Sequence, residues 1–134
     1  MAFHRFLRRA IQDRPIPVYG TGEQTRDFTF VEDAVTATIS AMERGRPGRL
    51  YNIGGGERTS LLRTLEIMEG HLGKPIRRDL VETQTGDVGH TSALTERARR
   101  DLGYAPRVGM EEGLGRMVAW FVEGWKDRQD LRNG

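Results

Sequence analysis

The sequence contains no cysteine, which excludes disulfides, thiolate metal sites and cysteine nucleophiles and is compatible with a reducing, cytoplasmic compartment. Long apolar runs are also missing, so no segment has the length to cross a bilayer. Met1 to Arg5 read at once as helix and lack the charged start and apolar stretch of a signal peptide. Nor are there blocks of one charge sign: 21 Lys plus Arg alternate with 19 Asp plus Glu, for a formal net charge of +2. That balance is no nucleic-acid-binding signature. Arg carries nearly all the positive charge, which suits forked recognition of carboxylates and phosphates but follows equally from a composition bias of the genome. His4, His71 and His90 stand apart with no partner at helical spacing, so no metal site is expected. Ser40, Ser60 and Ser92 lie in no Gly-x-Ser-x-Gly turn, and Ser60 has a sufficient job as a helix cap.

What is present, in 134 residues, is one domain or a piece of a larger one. Apolar spacing predicts an amphipathic helix over residues 2–13, too short for a membrane-surface anchor and beginning without a capping segment, as if an upstream part were missing. Ile16-Pro17-Val18-Tyr19 reads as a strand, Gly20-Thr21-Gly22 as a hairpin turn, and Arg26 to Val31 as the returning strand. Asp33 is placed to cap a helix lined by Val35, Thr38, Ile39 and Met42. Residues 49–53 read as a buried strand, Gly54-Gly55-Gly56 as a tight loop, and Thr59-Ser60 as the cap of a helix carrying Leu61, Leu65, Met68 and Leu72. A strand over 76–81 and a polar loop through Asp87 follow, then a short helix capped by Thr95 and a last helix with Leu114, Met117, Val118, Phe121 and Trp125 as its buried stripe. Gly113, Gly115 and Gly124 in that helix each cost about 1 kcal/mol against Ala, which points to close packing. The order is α/β with some antiparallel pairing; residues 1–125 form the folded portion and 126–134 a polar tail expected to fray.

Two patterns could carry chemistry. Gly54-Gly55-Gly56 follows a predicted strand and opens a helix, with Asp79 further on, which is the outline of a dinucleotide loop. Thr59 stands where the third glycine should be, however, and a tight turn explains the run. Arg26 beside a Gly-rich turn and Asp87 after Gly86 suit an anionic ligand: a guanidinium can fork onto a diphosphate and a carboxylate can accept from a ribose diol. Charge balance at a strand start and an ordinary turn aspartate account for the same two residues equally well.

The run from Pro15 to Asp33 (Pro-Ile-Pro-Val-Tyr-Gly-Thr-Gly-Glu-Gln-Thr-Arg-Asp-Phe-Thr-Phe-Val-Glu-Asp) closely resembles the nucleotide-sugar epimerases and dehydratases of the extended short-chain dehydrogenase family. The resemblance continues through Tyr51 to Gly56, Gly86-Asp87-Val88, Ala98 to Pro106 and Glu111 to Leu114, in family order and spacing. It implies a C-terminal fragment of an extended Rossmann-type fold, with mixed short strands packed with helices and the NAD-binding half absent. It also implies that the backbone around Pro17 and Tyr19 meets the nucleobase, Arg26 the diphosphate and ribose side, and Asp87 the ribose hydroxyls of a nucleotide-diphosphate sugar. Gln84 stands where many relatives have Arg, as it often does in relatives resembling the uronic-acid 4-epimerases, which tilts the expectation toward a 4-epimerase of that substrate group. Leu94 replaces an Asp usual in the family, a loss Thr95 is expected to offset.

The family's reaction uses NAD held by an amino-terminal glycine fingerprint and a Tyr-x-x-x-Lys pair, whose Lys lowers the Tyr pKa. Tyr19, Tyr51 and Tyr104 are followed four places later by Glu23, Gly55 and Val108, so the chain contains no such pair. No catalytic residue, no metal ligand and no bound NAD are therefore expected of this chain alone, NAD belonging to the full-length parent. The alternatives are a non-catalytic nucleotide-sugar-binding or docking module that pairs with a separate cofactor half, and a small dinucleotide binder using Gly54 to Gly56 and Asp79. Without the cofactor half, apolar surface is expected on the helix of Val35 and Ile39 and around the strand ending at Ile53, with marginal stability or association as its consequence.

Overall fold

Ile16 and Val18 are fully buried while Pro17 and Tyr19 between them are half-buried, the period-two pattern of a strand with one face on a core. This structure is a computed structural model and describes residues 2–82 and 93–133, with side chains through residue 125. In chain order the described residues form α1 (Ala2–Ile11), β1 (Ile16–Tyr19), β2 (Thr25–Asp27), α2 (Val31–Arg44), β3 (Arg58–Ser60), α3 (Leu61–Leu72), β4 (Arg78–Val81), α4 (Glu96–Leu102) and α5 (Met110–Asn133). They belong to two units: unit 1 is Met1–Glu23, Leu61–Asp87 and Leu114–Gly134, and unit 2 is Gln24–Ser60 and Val88–Gly113.

In unit 1, β1 and β4 pair in parallel, with Ile16 opposite Arg78 and Tyr19 opposite Val81. Besides Ile16 and Val18 of β1, the buried residues include Leu7 and Ala10 of α1, Leu65 and Met68 of α3, and Leu114, Val118 and Phe121 of α5, whereas β4 is exposed throughout. Phe121 packs edge-on to His4 and stacks on Trp125, at centroid distances of 4.9 and 5.9 Å, favourable arrangements for ring quadrupoles. Glu69 fastens the end of α3 to the following strand, accepting from the Ile76 N–H at 2.8 Å and from Arg78 Nη2 at 2.8 Å. Gly115 answers for its helix-weakening cost, since a Cβ there would stand 2.7 Å from the His71 ring.

In unit 2, β2 and β3 pair antiparallel, with Arg26 opposite Thr59. Ala37 of α2, Ala98 and Leu102 of α4, and Tyr104 form a small core, with Ala41, Tyr51 and Ile53 packed against it. α4 ends on Gly103 in the left-handed region (φ 68°), whose N–H returns to Arg99 O at 3.1 Å. Gly113 is in close contact with Phe30, at 3.0 Å from a would-be Cβ.

Several sequence expectations fail on pairing. Gly20-Thr21-Gly22 makes no hairpin: β1 and β2 lie in different two-stranded sheets, and Gly22 at φ 74° leaves room for Leu62 and Val18, 2.8 and 2.9 Å from a would-be Cβ. Residues 49–53 form no strand among the described residues, and Leu50 is 82% exposed, because no described strand lies beside them to complete a ladder. Thr59 and Ser60, read as caps, are the end of β3. Asp33 lies inside α2, whose N-cap is Phe30 without a side-chain cap bond. Thr95 does occupy the N-cap of α4, but its hydroxyl makes no cap hydrogen bond, so it does not replace the polar group lost at Leu94.

Candidate functional site

The Arg26 backbone is held by three residue pairs of the β2–β3 ladder, and alternation sends Arg26 and Asp27 to opposite faces of the strand. The half-buried Arg26 donates from Nη1 to the Thr25 carbonyl at 2.9 Å. Asp27 does not simply balance its neighbour's charge. Its Oδ1 accepts from the Gly55 N–H at 2.7 Å and its Oδ2 from the Ala93 N–H at 3.3 Å, so one carboxylate clamps the glycine loop and the segment before α4.

That clamp decides the role of Gly54 to Gly56. A Cβ on Gly55 would fall on the Phe28 carbonyl oxygen, and one on Gly54 would meet the Asp27 carboxylate and Ala93 Cβ. The loop is pressed onto β2, and the Gly55 N–H that a phosphate would need is given to Asp27. β3 also stands between the loop and α3, which breaks the strand–loop–helix order of a dinucleotide fingerprint. Asp79 is an exposed residue of β4, in the other unit. Gly54 to Gly56 therefore lack the geometry of a dinucleotide fingerprint.

Tyr104 completes the loop's support, its buried hydroxyl donating to the Gly54 carbonyl at 2.7 Å. Burial first, and then the carboxylates of Asp33 and Asp27, push its pKa above the ordinary 10.0, with Arg99 acting the other way. A raised pKa in the folded state means that the associated stability is fully present below about pH 10 and is lost as pH rises toward the folded value. Tyr104→Phe should cost about 1–2 kcal/mol at neutral pH and should flatten the alkaline loss of stability. Urea unfolding at pH 7 and above pH 10 checks this; equal alkaline sensitivity in both proteins would contradict it.

Among the sequence-expected binding residues, Pro17 and Tyr19 lie on β1 in unit 1. The Ile16 and Gly20 N–H groups donate to the β4 side at 2.8 and 2.9 Å. Pro17, with no N–H to give, and the Tyr19 backbone thus belong to the strand's other edge. Arg26 is in unit 2, while Gln84 and Asp87 lie outside the described residues. Sequence reasoning missed Asp27 and Tyr104 as the holders of the glycine loop; the only signal was the alternation of Arg26 and Asp27 across a strand. No group of three or more His, Asp or Glu among the described residues could hold a metal ion, and no described helix is long and apolar enough to cross a membrane.

Comparison with known proteins gives concordant matches. Residues 1–54 match the model of the NAD dependent epimerase/dehydratase family. The chain is 33% identical over 124 residues to UDP-glucuronate 4-epimerase of Thermodesulfobacterium geofontis, covering 92% of this chain and 38% of that protein. Among solved structures, the Bacillus cereus UDP-glucuronic acid 4-epimerase in complex with UDP-glucuronic acid and NAD superposes with a TM-score of 0.85 at 32% identity, over 92% of this chain and 40% of that one. The epimerase Mth375 of Methanothermobacter thermautotrophicus gives a TM-score of 0.88 at 29% identity, over 97% and 39%. The fold is thus that of the extended short-chain epimerases, and the chain spans about two fifths of the length of the curated relatives it matches.

Proposed function

The chain belongs to the NAD-dependent epimerase/dehydratase family, and on that premise we propose that it is the nucleotide-diphosphate-sugar-binding portion of a sugar-nucleotide 4-epimerase, inactive alone. The observation that carries this reading is the placement of Arg26. A short ladder fixes its backbone opposite Thr59, and strand alternation puts its guanidinium on the face away from Asp27, whose carboxylate holds the glycine loop. The likeness to proteins named for UDP-glucuronate supports a UDP-uronic acid as the ligand. The family resemblance assigns the base to the backbone at Pro17 and Tyr19, the diphosphate to Arg26 and the ribose diol to Asp87, with Gln84 adding no charge where many relatives have Arg. The parent reaction oxidises and re-reduces a sugar carbon through NAD. The sequence of this chain contains no Tyr-x-x-x-Lys pair, and among the described residues Gly54 to Gly56 do not form a dinucleotide loop.

Isothermal titration with UDP tests the assignment. A charge-assisted fork of about 1.5–3 kcal/mol means that Arg26→Ala should weaken UDP binding roughly 10- to 100-fold. Arg26→Lys should recover part of that loss, keeping the charge without the fork. Equal affinity of the parent chain and Arg26→Ala would sink the assignment of Arg26.

A further inference from the structure

β4 has one edge on β1 and a second edge that no described strand pairs with. The Ile16 N–H donates to the Arg77 carbonyl at 2.8 Å and the Gly20 N–H to the Val81 carbonyl at 2.9 Å. In a trans peptide the N–H points opposite to the carbonyl before it, so Arg78 and Glu82 turn their N–H groups away from β1. The parallel register carries this alternation through the strand: residues 77, 79 and 81 serve β1, and residues 78, 80 and 82 serve the outer edge. Among the described residues none accepts from those outward N–H groups.

The side chains are as open as the backbone. Register partners in a parallel ladder share a face, so Leu80 stands on the face of Val18. Val18 is fully buried, yet Leu80 is 75% exposed, which means that the core covers β1 and stops short of β4. An exposed strand edge with an apolar residue at its centre is a template for another strand.

The charges say which strand fits. A second copy of β4 can lie antiparallel to the first about a two-fold axis, provided that outward residues face outward residues. An axis at Arg78 would oppose two arginines, and one at Asp79 two aspartates, both unfavourable. An axis at Val81 would set Leu80 against Glu82. An axis at Leu80 sets leucine on leucine, Asp79 against Val81, and Arg78 against Glu82 on either side. Arg78 is already oriented for that role, since its Nη2 donates to Glu69 at 2.8 Å and other guanidinium N–H groups remain for a second carboxylate.

We propose that β4 is a self-docking edge, and that two copies of the chain pair through it, antiparallel about Leu80, into one sheet of order β1-β4-β4-β1. The assembly closes at the dimer. Its new outer edges are the two β1 strands, where Pro17 has no N–H to offer a further strand. This claim is independent of the ligand assignment, because the base was assigned to the β1 edge and the dimer uses the β4 edge.

Sedimentation equilibrium of the 134-residue chain tests the proposal. A single short strand edge is a small interface, so the runs extend to about 1 mM chain. The parent should form a reversible dimer. Leu80→Lys, which faces like charges across the axis, should weaken it about tenfold or more, and Glu82→Arg should weaken it too, by opposing Arg78. Glu57→Arg, the same charge change at an exposed site in unit 2, should leave it intact. A parent that stays monomeric, or a dimer indifferent to Leu80→Lys, would overturn the proposal. The absence of cysteine allows the register to be read directly. Residues facing each other in a hydrogen-bonded antiparallel pair are about 5.5 Å apart between Cα atoms, within disulfide reach. Leu80→Cys should therefore oxidise to a linked dimer, and Leu50→Cys, 82% exposed in unit 2, should not; the reverse result would place the contact elsewhere and overturn the proposal. Leu80→Lys should melt at the parent's temperature when both are dilute and monomeric. A lower melting temperature would mean that Leu80 packs within its own chain, and that too would overturn the proposal.

Discussion

Replacing Gly55 by alanine should be the most damaging single substitution in unit 2, costing about 3 kcal/mol or more. The new Cβ would fall on the Phe28 carbonyl oxygen, 3.0 Å from the Phe28 carbonyl carbon and 3.3 Å from Asp27 Oδ1. The first two are backbone atoms of the segment leaving β2, so no side-chain rotation relieves the overlap. The Gly55 N–H bond to Asp27 and the Tyr104 bond to Gly54 O would be strained together. Gly70→Ala supplies the contrast. Gly70 lies in α3 with nothing within 4 Å of a would-be Cβ, and alanine there should stabilise by about 0.5–1 kcal/mol through helix propensity. Urea denaturation of the pair should therefore shift in opposite directions. A Gly55→Ala midpoint equal to that of the parent would mean that the loop is not pressed against Phe28.

Asp33→Ala should rank second, at about 2–3 kcal/mol. Asp33 is 3% exposed and accepts from the Arg107 N–H at 3.0 Å and the Val108 N–H at 3.2 Å, which ties the segment ahead of α5 to the first turn of α2. Alanine would leave both donors without this acceptor and would open a small void. Asp33→Asn retains one carbonyl oxygen and should recover about half of the loss, since one of the two bonds can be kept. A melting temperature lowered by roughly 10 °C for Ala and less for Asn is the expected pattern. Equal losses for Ala and Asn would show that charge, not hydrogen bonding to residues 107 and 108, is what Asp33 supplies.

The difference between these two residues illustrates what was legible in the sequence. Helical spacing located α1, α2, α3 and α5, and a short run ahead of a glycine turn located β1, because those signals are local. The family resemblance was read from equally local runs, the longest of them from Pro15 to Asp33. Pairing was not legible. β1 finds β4 about sixty residues away, and β2 pairs with a three-residue β3 that has no periodic signature of its own. A glycine turn after a strand suggests a hairpin, but Gly20 and Gly22 instead serve a change of sheet. Asp33 has the sequence position of a cap, yet its carboxylate is used by a segment more than seventy residues on. On the candidate site, the sequence named Arg26 by its chemistry but could not show that Asp27 and Tyr104 occupy the glycine loop. That occupation is what removes the dinucleotide alternative for Gly54 to Gly56.

The most direct measurement of the central claim is product analysis after incubating the pure 134-residue chain with UDP-glucuronic acid and NAD. The expected result is no 4-epimer above the enzyme-free background, in a sample that binds UDP by titration. Turnover to the 4-epimer by the chain alone would contradict the account, because the added NAD would have to be bound and a proton moved in a chain whose sequence contains no Tyr-x-x-x-Lys pair.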